Sequence, residues 1–220
     1  MISGMVQGFC MAFETLGSHL GAAAWAMGIF VVGFAVSFAV VRCDVRSLLI
    51  FPNWILHLAR KYLRPEINPV YLCAFIFLFN SAAIFLYMIS GGLVIFPILF
   101  DLLTGLNVGT IMLMDAEEAP ETSAPSAEPG QARAWVGFLS IVVILVELAS
   151  FWFAIGMGMK LGQEMRAGFS WETFAAAAAP RIVAYVLIIV PSLLASAAAE
   201  AAAIKAMMRN SPAREEISRR

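Results

Sequence analysis

Three acid and amide side chains occur near the middle of long apolar stretches, where a polar group most needs a partner. They are Asn80, Asn107 and Glu147. An acidic side chain at the centre of a bilayer costs about 2.5–3.5 kcal/mol on insertion scales, so it normally faces other protein segments. The two amides could donate hydrogen bonds to the Glu147 carboxyl and fix the register of the helices. The same three groups could instead bind a proton or an ion on a transport path.

Three further charged residues lie in apolar surroundings, and their positions along the helices suggest partners. Asp101 and Lys160 both fall towards the outer surface, so we expect them to pair with each other. Glu200 falls towards the inner surface, near Lys205 and the end of the first helix that carries Arg42 and Arg46. Each pair would neutralise a charge that the membrane disfavours.

The elements that carry these residues must be membrane-spanning helices. Of the 220 residues, 61% are hydrophobic and 13% charged, and the mean hydropathy is +0.86, far above that of a soluble domain. A helix needs about 20 apolar residues to cross a bilayer. Segment 70–114 is long enough for two crossings, and Gly91, Gly92 and Pro97 mark a turn near its middle. We therefore predict an all-α, polytopic membrane helix bundle in 22–204. Its five spans cover about 22–41, 70–90, 97–114, 135–159 and 182–204.

Glycines one turn apart indicate where two of these helices pack closely. Gly105 and Gly109 form one such pair, and Gly158 and Gly162 form the other. Small residues at this spacing let the backbones of neighbouring helices approach each other.

The segments outside the spans have their own signatures. Residues 1–21 are weakly apolar and are predicted to be an outer-face segment or a lead-in to the first span. Residues 50–64 form an amphipathic pattern that is typical of a helix lying along the membrane interface. Residues 115–132 are acidic and rich in Ala, Pro and Ser, which predicts a disordered loop. Residues 205–220 are a basic tail.

The interfacial helix offers a surface to lipid headgroups or to a partner protein. Its apolar face carries Trp54, Ile55, Leu58 and Tyr62. Its polar face carries His57, Arg60, Lys61 and Arg64, with Asn53. Anchoring to anionic lipid and docking of a partner protein both fit this pattern.

The distribution of Lys and Arg predicts the orientation. With five spans, eleven basic residues fall on one side, in the 42–69 connection, at Arg133 and in the C-terminal tail. Three, Lys160, Arg166 and Arg181, fall on the other. The positive-inside rule then places the protein in the cell (inner) membrane with its N-terminus outside and its C-terminus in the cytoplasm.

Several functional classes find no support in the sequence. The net charge of −1 gives no nucleic-acid footprint. Cys10, Cys43 and Cys73 lack the spacing of a metal site, and His19 has no second ligand nearby, so we expect a solvated or capping histidine. No phosphate-binding loop or catalytic set is evident. The sequence therefore predicts no metal, no cofactor and no enzymatic activity.

With these residues in view, the chain resembles the stage II sporulation protein M family of multi-pass membrane proteins over about 70–205. Four features carry the resemblance, in the order of the chain: Asn80 followed by Gly91-Gly92, then Asn107-Val-Gly109, then Glu147 through Gly158-Met-Lys-Leu-Gly162, and last Pro191 followed by Glu200. Family members commonly carry Pro-His-Gly shortly before the membrane Glu. Here Val142-Val143-Ile144 stands instead, so the resemblance implies no histidine–glutamate mechanism.

The resemblance implies a partner-binding role more than a reaction. The sporulation member resembles a membrane platform in a complex that remodels peptidoglycan during engulfment. We therefore expect a non-enzymatic membrane scaffold or assembly subunit that recruits other membrane proteins, with further copies of this chain among the candidate partners. The alternative is a transporter or channel component that uses the Glu and Asn groups inside the membrane.

Overall fold

A computed structural model of the chain describes residues 2–62, 67–93, 95–118 and 131–209. Within these ranges the chain is helical and has no strand. Seven helices are described, with a 3₁₀ turn at Ser90–Leu93 between the third and fourth and a π-helical turn at Tyr185–Ile189 between the last two. The helices are α1 (Ile2–Arg42), α2 (Arg46–Tyr62), α3 (Pro69–Ile89), α4 (Phe96–Glu118), α5 (Gln131–Met165), α6 (Trp171–Ala184) and α7 (Val190–Arg209).

The prediction of an all-α bundle with five spans is confirmed. In the described part of the chain, five helical segments are long and apolar enough to cross a membrane. Large apolar side chains on their outer faces are exposed, as lipid-facing positions require; Trp25, for example, is 73% exposed. The five segments are Ser3–Arg42, Pro69–Leu93, Phe96–Met114, Ile141–Met165 and Trp171–Ala206.

Two spans begin earlier than the hydropathy of the sequence suggested. Helix α1 starts at Ile2, so the predicted outer-face segment 1–21 is continuous with the first span. The last span starts at Trp171, where Ser170 caps α6 by accepting a hydrogen bond from the Thr173 amide at 3.1 Å. The alanine run 175–179 then extends the helix, because alanine has the highest helix propensity although it is only weakly apolar.

The predicted connecting segments are described only in part. A helix is present where the interfacial helix was predicted, as α2, which covers Arg46–Tyr62. Residues 115–118 of the predicted loop belong to α4 and residues 131–132 to α5, while 119–130 lie outside the described residues. Residues 205–209 of the predicted tail continue α7, and 210–220 again lie outside.

Helix α5 lies at the centre of the bundle. It packs against α1, α3 and α7, and the side chains of Ala154, Ile155 and Met157 on it are fully buried. Phe151 on α5 packs edge to face against Phe30 of α1, with ring centroids 6.0 Å apart. The core of the bundle therefore surrounds the second half of α5.

Helices α1 and α4 run parallel to each other and share the most extensive contact between two of the described helices. Gly105 lies against the backbone of Phe30, and Gly109 lies one turn further on against Phe34 and Ser37. Both chains therefore advance in the same direction along the contact. Helix α5 is antiparallel to α1, because Phe151 lies beside Phe30 and Gly156 beside Ala23.

The turn between α3 and α4 brings a second glycine pair into contact. Gly91 lies in the 3₁₀ turn with its Cα against the backbone of Gly158 on α5, and a side chain at either position would collide with main-chain atoms. This approach holds the end of the α3–α4 hairpin against the central helix.

The π-helical turn in the last span has an identifiable cause. Pro191 lies just after it, and a proline ring clashes with the carbonyl four residues earlier, here Leu187. Widening the turn relieves this clash, and the Val190 amide then donates to the Tyr185 carbonyl, five residues back. The turn also directs Tyr185 into the core, where it is 7% exposed.

Candidate functional site

The Glu147 carboxyl joins three helices. The Asn80 side-chain amide on α3 donates a hydrogen bond to Glu147 Oε1 at 3.1 Å. The Ser196 hydroxyl on α7 lies 3.1 Å from the same oxygen and 3.4 Å from the Val143 carbonyl oxygen. Its single proton makes the shorter bond to Glu147. The predicted contact between Asn80 and Glu147 is therefore present, and Ser196 completes the cluster.

A second polar contact lies beside this cluster on the same helices. The Tyr185 hydroxyl in the π-helical turn donates to the Ser81 carbonyl oxygen at 2.7 Å, and the Ser81 hydroxyl also contacts it. Asn80 and Ser81 are adjacent on α3. The last span is thus attached to α3 through two neighbouring residues.

Asn107 does not join the cluster, and this part of the prediction is wrong. It makes no hydrogen bond to Glu147 or to any other described side chain. Gly105 and Gly109 face α1. Asn107 is two residues after Gly105 and two residues before Gly109. Successive residues of a helix are rotated by about 100° around its axis, so Asn107 points to the side opposite the two glycines. Asn107 therefore lies on the face of α4 that is turned away from α1.

The predicted pairing of Asp101 with Lys160 is also wrong. The Lys160 ammonium donates to the Ser18 carbonyl oxygen on α1. Gly105 lies opposite Phe30, so Asp101, one turn earlier, falls level with Ala26. Ser18 is eight residues from Ala26 along α1, about 12 Å, which separates the two charges.

Asp101 is instead fully buried, and neither carboxyl oxygen has a hydrogen-bond partner among the described residues.

An unsatisfied buried polar group destabilises a protein by about 1–3 kcal/mol. We expect Asp101→Ala to leave the free energy of unfolding unchanged or to raise it by about 1 kcal/mol, measured by denaturant titration of the purified protein in mixed micelles. Ser150→Ala, which removes a hydroxyl bonded to the Val146 carbonyl oxygen at 2.8 Å, should instead lower it slightly. A clear loss of stability in Asp101→Ala would contradict this prediction.

Glu200 lies one turn beyond Ser196 on α7 and interacts electrostatically with Glu147. It makes no ion pair or hydrogen bond to the described residues, so the predicted pairing with Lys205 or Arg42 is wrong. Arg46, the first residue of α2, pairs with the nearby Asp44 at 3.4 Å. The Glu200 carboxyl instead lines a groove between α2, α3 and α7.

A third polar group lies at the opposite end of the bundle and was not predicted. Arg181 of α6 is buried, and its guanidinium donates to both Glu164 carboxyl oxygens, at 2.6 and 3.2 Å. His19 lies within electrostatic range of both residues. It is 6% exposed, and its Nδ1 donates to the Thr15 carbonyl oxygen at 2.6 Å. His19 also lies inside α1 and not at a helix end, so the expectation of a solvated or capping histidine is wrong.

The remaining predicted residues are placed as follows. Gly105 and Gly158 lie close to main-chain atoms of other segments, and Gly109 lies close to the side chains of Phe34 and Ser37. Gly162 is buried. On α2, Trp54 and His57 are exposed, while Ile55 and Leu58 face the groove. Arg60 and Lys61 belong to α2, and Arg64 lies outside the described residues.

The sequence contained signals for some of the residues that were missed. Ser196 and Glu200 are four positions apart, which places them on one face of a helix. Glu164 and Arg181 flank the short connection 166–170, where consecutive antiparallel helices must pair. Nothing in the sequence indicated that Asp101 would have no hydrogen-bond partner among the described residues.

Comparisons of the chain with protein-family models, with curated proteins and with solved structures find no match. The resemblance to the stage II sporulation protein M family therefore stays a prediction from the sequence. Among the described residues, no group of three His, Cys, Asp or Glu side chains is arranged to hold a metal ion.

Proposed function

We propose that the protein is a non-enzymatic membrane scaffold or assembly subunit that resembles stage II sporulation protein M and recruits partner proteins within the cell membrane. The observation that supports this best is the use of Glu147. One oxygen of its carboxyl accepts hydrogen bonds from both α3 and α7. This arrangement is the one expected of a group that holds helices together. A rigid bundle of this kind can present fixed surfaces to other proteins.

The surface that we assign to partner binding is the exposed side of α2. Trp54 is 51% exposed and its ring lies 5.8 Å from that of Phe51, which is 49% exposed. Aromatic residues are enriched at protein interfaces. By the distribution of Lys and Arg, this helix lies on the cytoplasmic side, with the N-terminus of the chain outside.

Photo-crosslinking in native membranes tests the scaffold role. p-Benzoylphenylalanine in place of Trp54 should give a discrete protein adduct, either with another protein or with a second copy of the chain. The matched control replaces Trp171, which is 75% exposed at the start of α6, and should give no such adduct. Adducts with lipid only, or the same protein adducts from both positions, would contradict the proposal.

The alternative, a transporter or channel component, is supported by one observation. Glu147 and Glu200 belong to different helices and interact electrostatically. Glu200 also lines an open groove. Two neighbouring carboxyl groups of this kind could pass a proton or a cation between them.

Substitution of Glu147 distinguishes the two functions. Hydrogen bonds between membrane helices contribute about 0.6 kcal/mol on average and at most about 1.7, so Glu147→Ala should lower the free energy of unfolding by about 1–2 kcal/mol. Glu147→Gln keeps an acceptor oxygen and should retain most of the stability and the Trp54 adduct. Proton or cation flux in proteoliposomes that is present in the wild type and abolished in Glu147→Gln would favour transport instead.

A further inference from the structure

A groove lies between α2, α3 and α7, and it is separate from the hydrogen bonds of Glu147. Its volume is about 360 Å³, and nine of the ten described residues that line it have apolar or aromatic side chains, Leu58 of α2 and Ile204 of α7 among them. The tenth is Glu200. Sites for small molecules have volumes of about 300–1,000 Å³ and combine apolar walls with few polar groups, as this groove does.

Three aromatic side chains form one wall of the groove. Tyr71, Phe75 and Phe79 follow each other at intervals of four residues on α3, so they share one face of that helix. The rings of Phe75 and Phe79 are stacked, with centroids 6.2 Å apart and planes inclined by 19°. The faces of aromatic rings attract cations, most strongly where water is excluded.

Glu200 places a carboxyl in this apolar and aromatic surrounding. It makes no hydrogen bond or ion pair to the described residues, and Glu147 adds a second acidic group within electrostatic range. An acyl chain alone would leave the carboxyl without a partner, which is unfavourable. An inorganic cation would find a single carboxylate where Ca²⁺ needs six to eight oxygen ligands.

We propose that the groove binds a lipophilic organic cation, such as a hydrophobic amine or a quaternary ammonium compound. The positive charge lies at Glu200 and against the aromatic rings of α3, and the apolar substituents occupy the rest of the groove. Among the described residues that line the groove, no basic side chain opposes such a charge. This site goes beyond the scaffold role and does not depend on it.

Binding of tetraphenylphosphonium to the full-length protein in dodecylmaltoside micelles, measured by equilibrium dialysis, tests the proposal. Glu200→Gln should weaken binding by about tenfold or more, because it removes the charge that faces the cation. Tyr71→Leu should weaken it less, since the site keeps its apolar wall and loses one ring. The control Glu172→Gln makes the same change at an exposed position of α6 and should leave the affinity unchanged.

Tetraphenylborate, an anion of the same shape, shows whether charge determines binding. It should bind wild-type protein at least tenfold more weakly than tetraphenylphosphonium does, by the same charge argument. Equal binding of the two ions, or equal affinity of wild type and Glu200→Gln, would overturn the proposal and indicate a site for uncharged lipid chains. If Glu200→Gln fails to fold, Ile204→Trp fills the groove and keeps the charge; undiminished binding by that variant would also overturn the proposal.

Discussion

Replacing Gly33 by alanine is expected to lower the free energy of unfolding by about 1–3 kcal/mol, the usual effect of an added methyl group in a closely packed contact. Gly33 faces α4, and a Cβ there would meet the carbonyl group of Leu102 and lie 3.1 Å from the Leu106 amide nitrogen. These are main-chain atoms of a helix, so they cannot turn aside as a flexible side chain would. The helices must separate, and the packing along α1 and α4 is lost.

The control for this prediction lies on the same helix. Gly28 has no heavy atom within 4 Å of the position that a Cβ would occupy. Gly28→Ala should therefore be neutral or should stabilise α1 by up to about 1 kcal/mol, the difference in helix propensity between the two residues. Both variants are compared with wild type by denaturant titration in mixed micelles. Equal stabilities of the two variants would show that α1 and α4 are not in close contact at Gly33.

The opposite side of the contact provides an independent measurement. Gly105→Ala on α4 would place its Cβ against the Phe30 carbonyl group and should lower stability by a similar amount. The double variant of Gly33 and Gly105 should lose less than the sum of the two single losses, since the helices separate only once. Additive losses would indicate two unrelated contacts.

The fold could be predicted because it depends on quantities that the sequence gives directly. The length of each apolar run determines the number of spans, and Gly91, Gly92 and Pro97 mark the turn that divides the longest run. The ends of the spans were harder to predict. Helix α6 continues through the alanine run 175–179. Because alanine is only weakly apolar, hydropathy alone does not show whether such a run belongs to a span or to a connecting segment.

The candidate site could be predicted only in part, because depth along a helix does not give direction around it. Asn80 and Asn107 both lie near the middle of their spans, yet only Asn80 faces Glu147. The spacing of Asn107 from Gly105 and Gly109 already indicated the opposite face. Which helices are neighbours also had to come from the structure: Asp101 faces α1 and not Lys160, because α4 packs along α1.

Removing Glu164 is expected to have a second large effect, because it leaves the charge of Arg181 buried without its partner. Arg181 has 5% of its side chain exposed and Glu164 has 46%. Breaking a buried ion pair from one side destabilises proteins by about 3–5 kcal/mol. Since Glu164 is half exposed, we expect Glu164→Leu to lower the free energy of unfolding by about 2–3 kcal/mol. Gln163→Leu, one residue earlier and exposed on α5, should change it little.

A double variant shows whether the loss comes from the unpaired charge. Glu164→Leu combined with Arg181→Met replaces the pair by apolar side chains, a change that is often neutral or stabilising for buried pairs. The double variant should therefore be more stable than Glu164→Leu alone in the same titration. If it is less stable, the Arg181 guanidinium stabilises the bundle without Glu164, through its bond to the Ala177 carbonyl oxygen. That bond lies within α6, so the contribution of Arg181 would then be to the helix itself and not to its contact with α5.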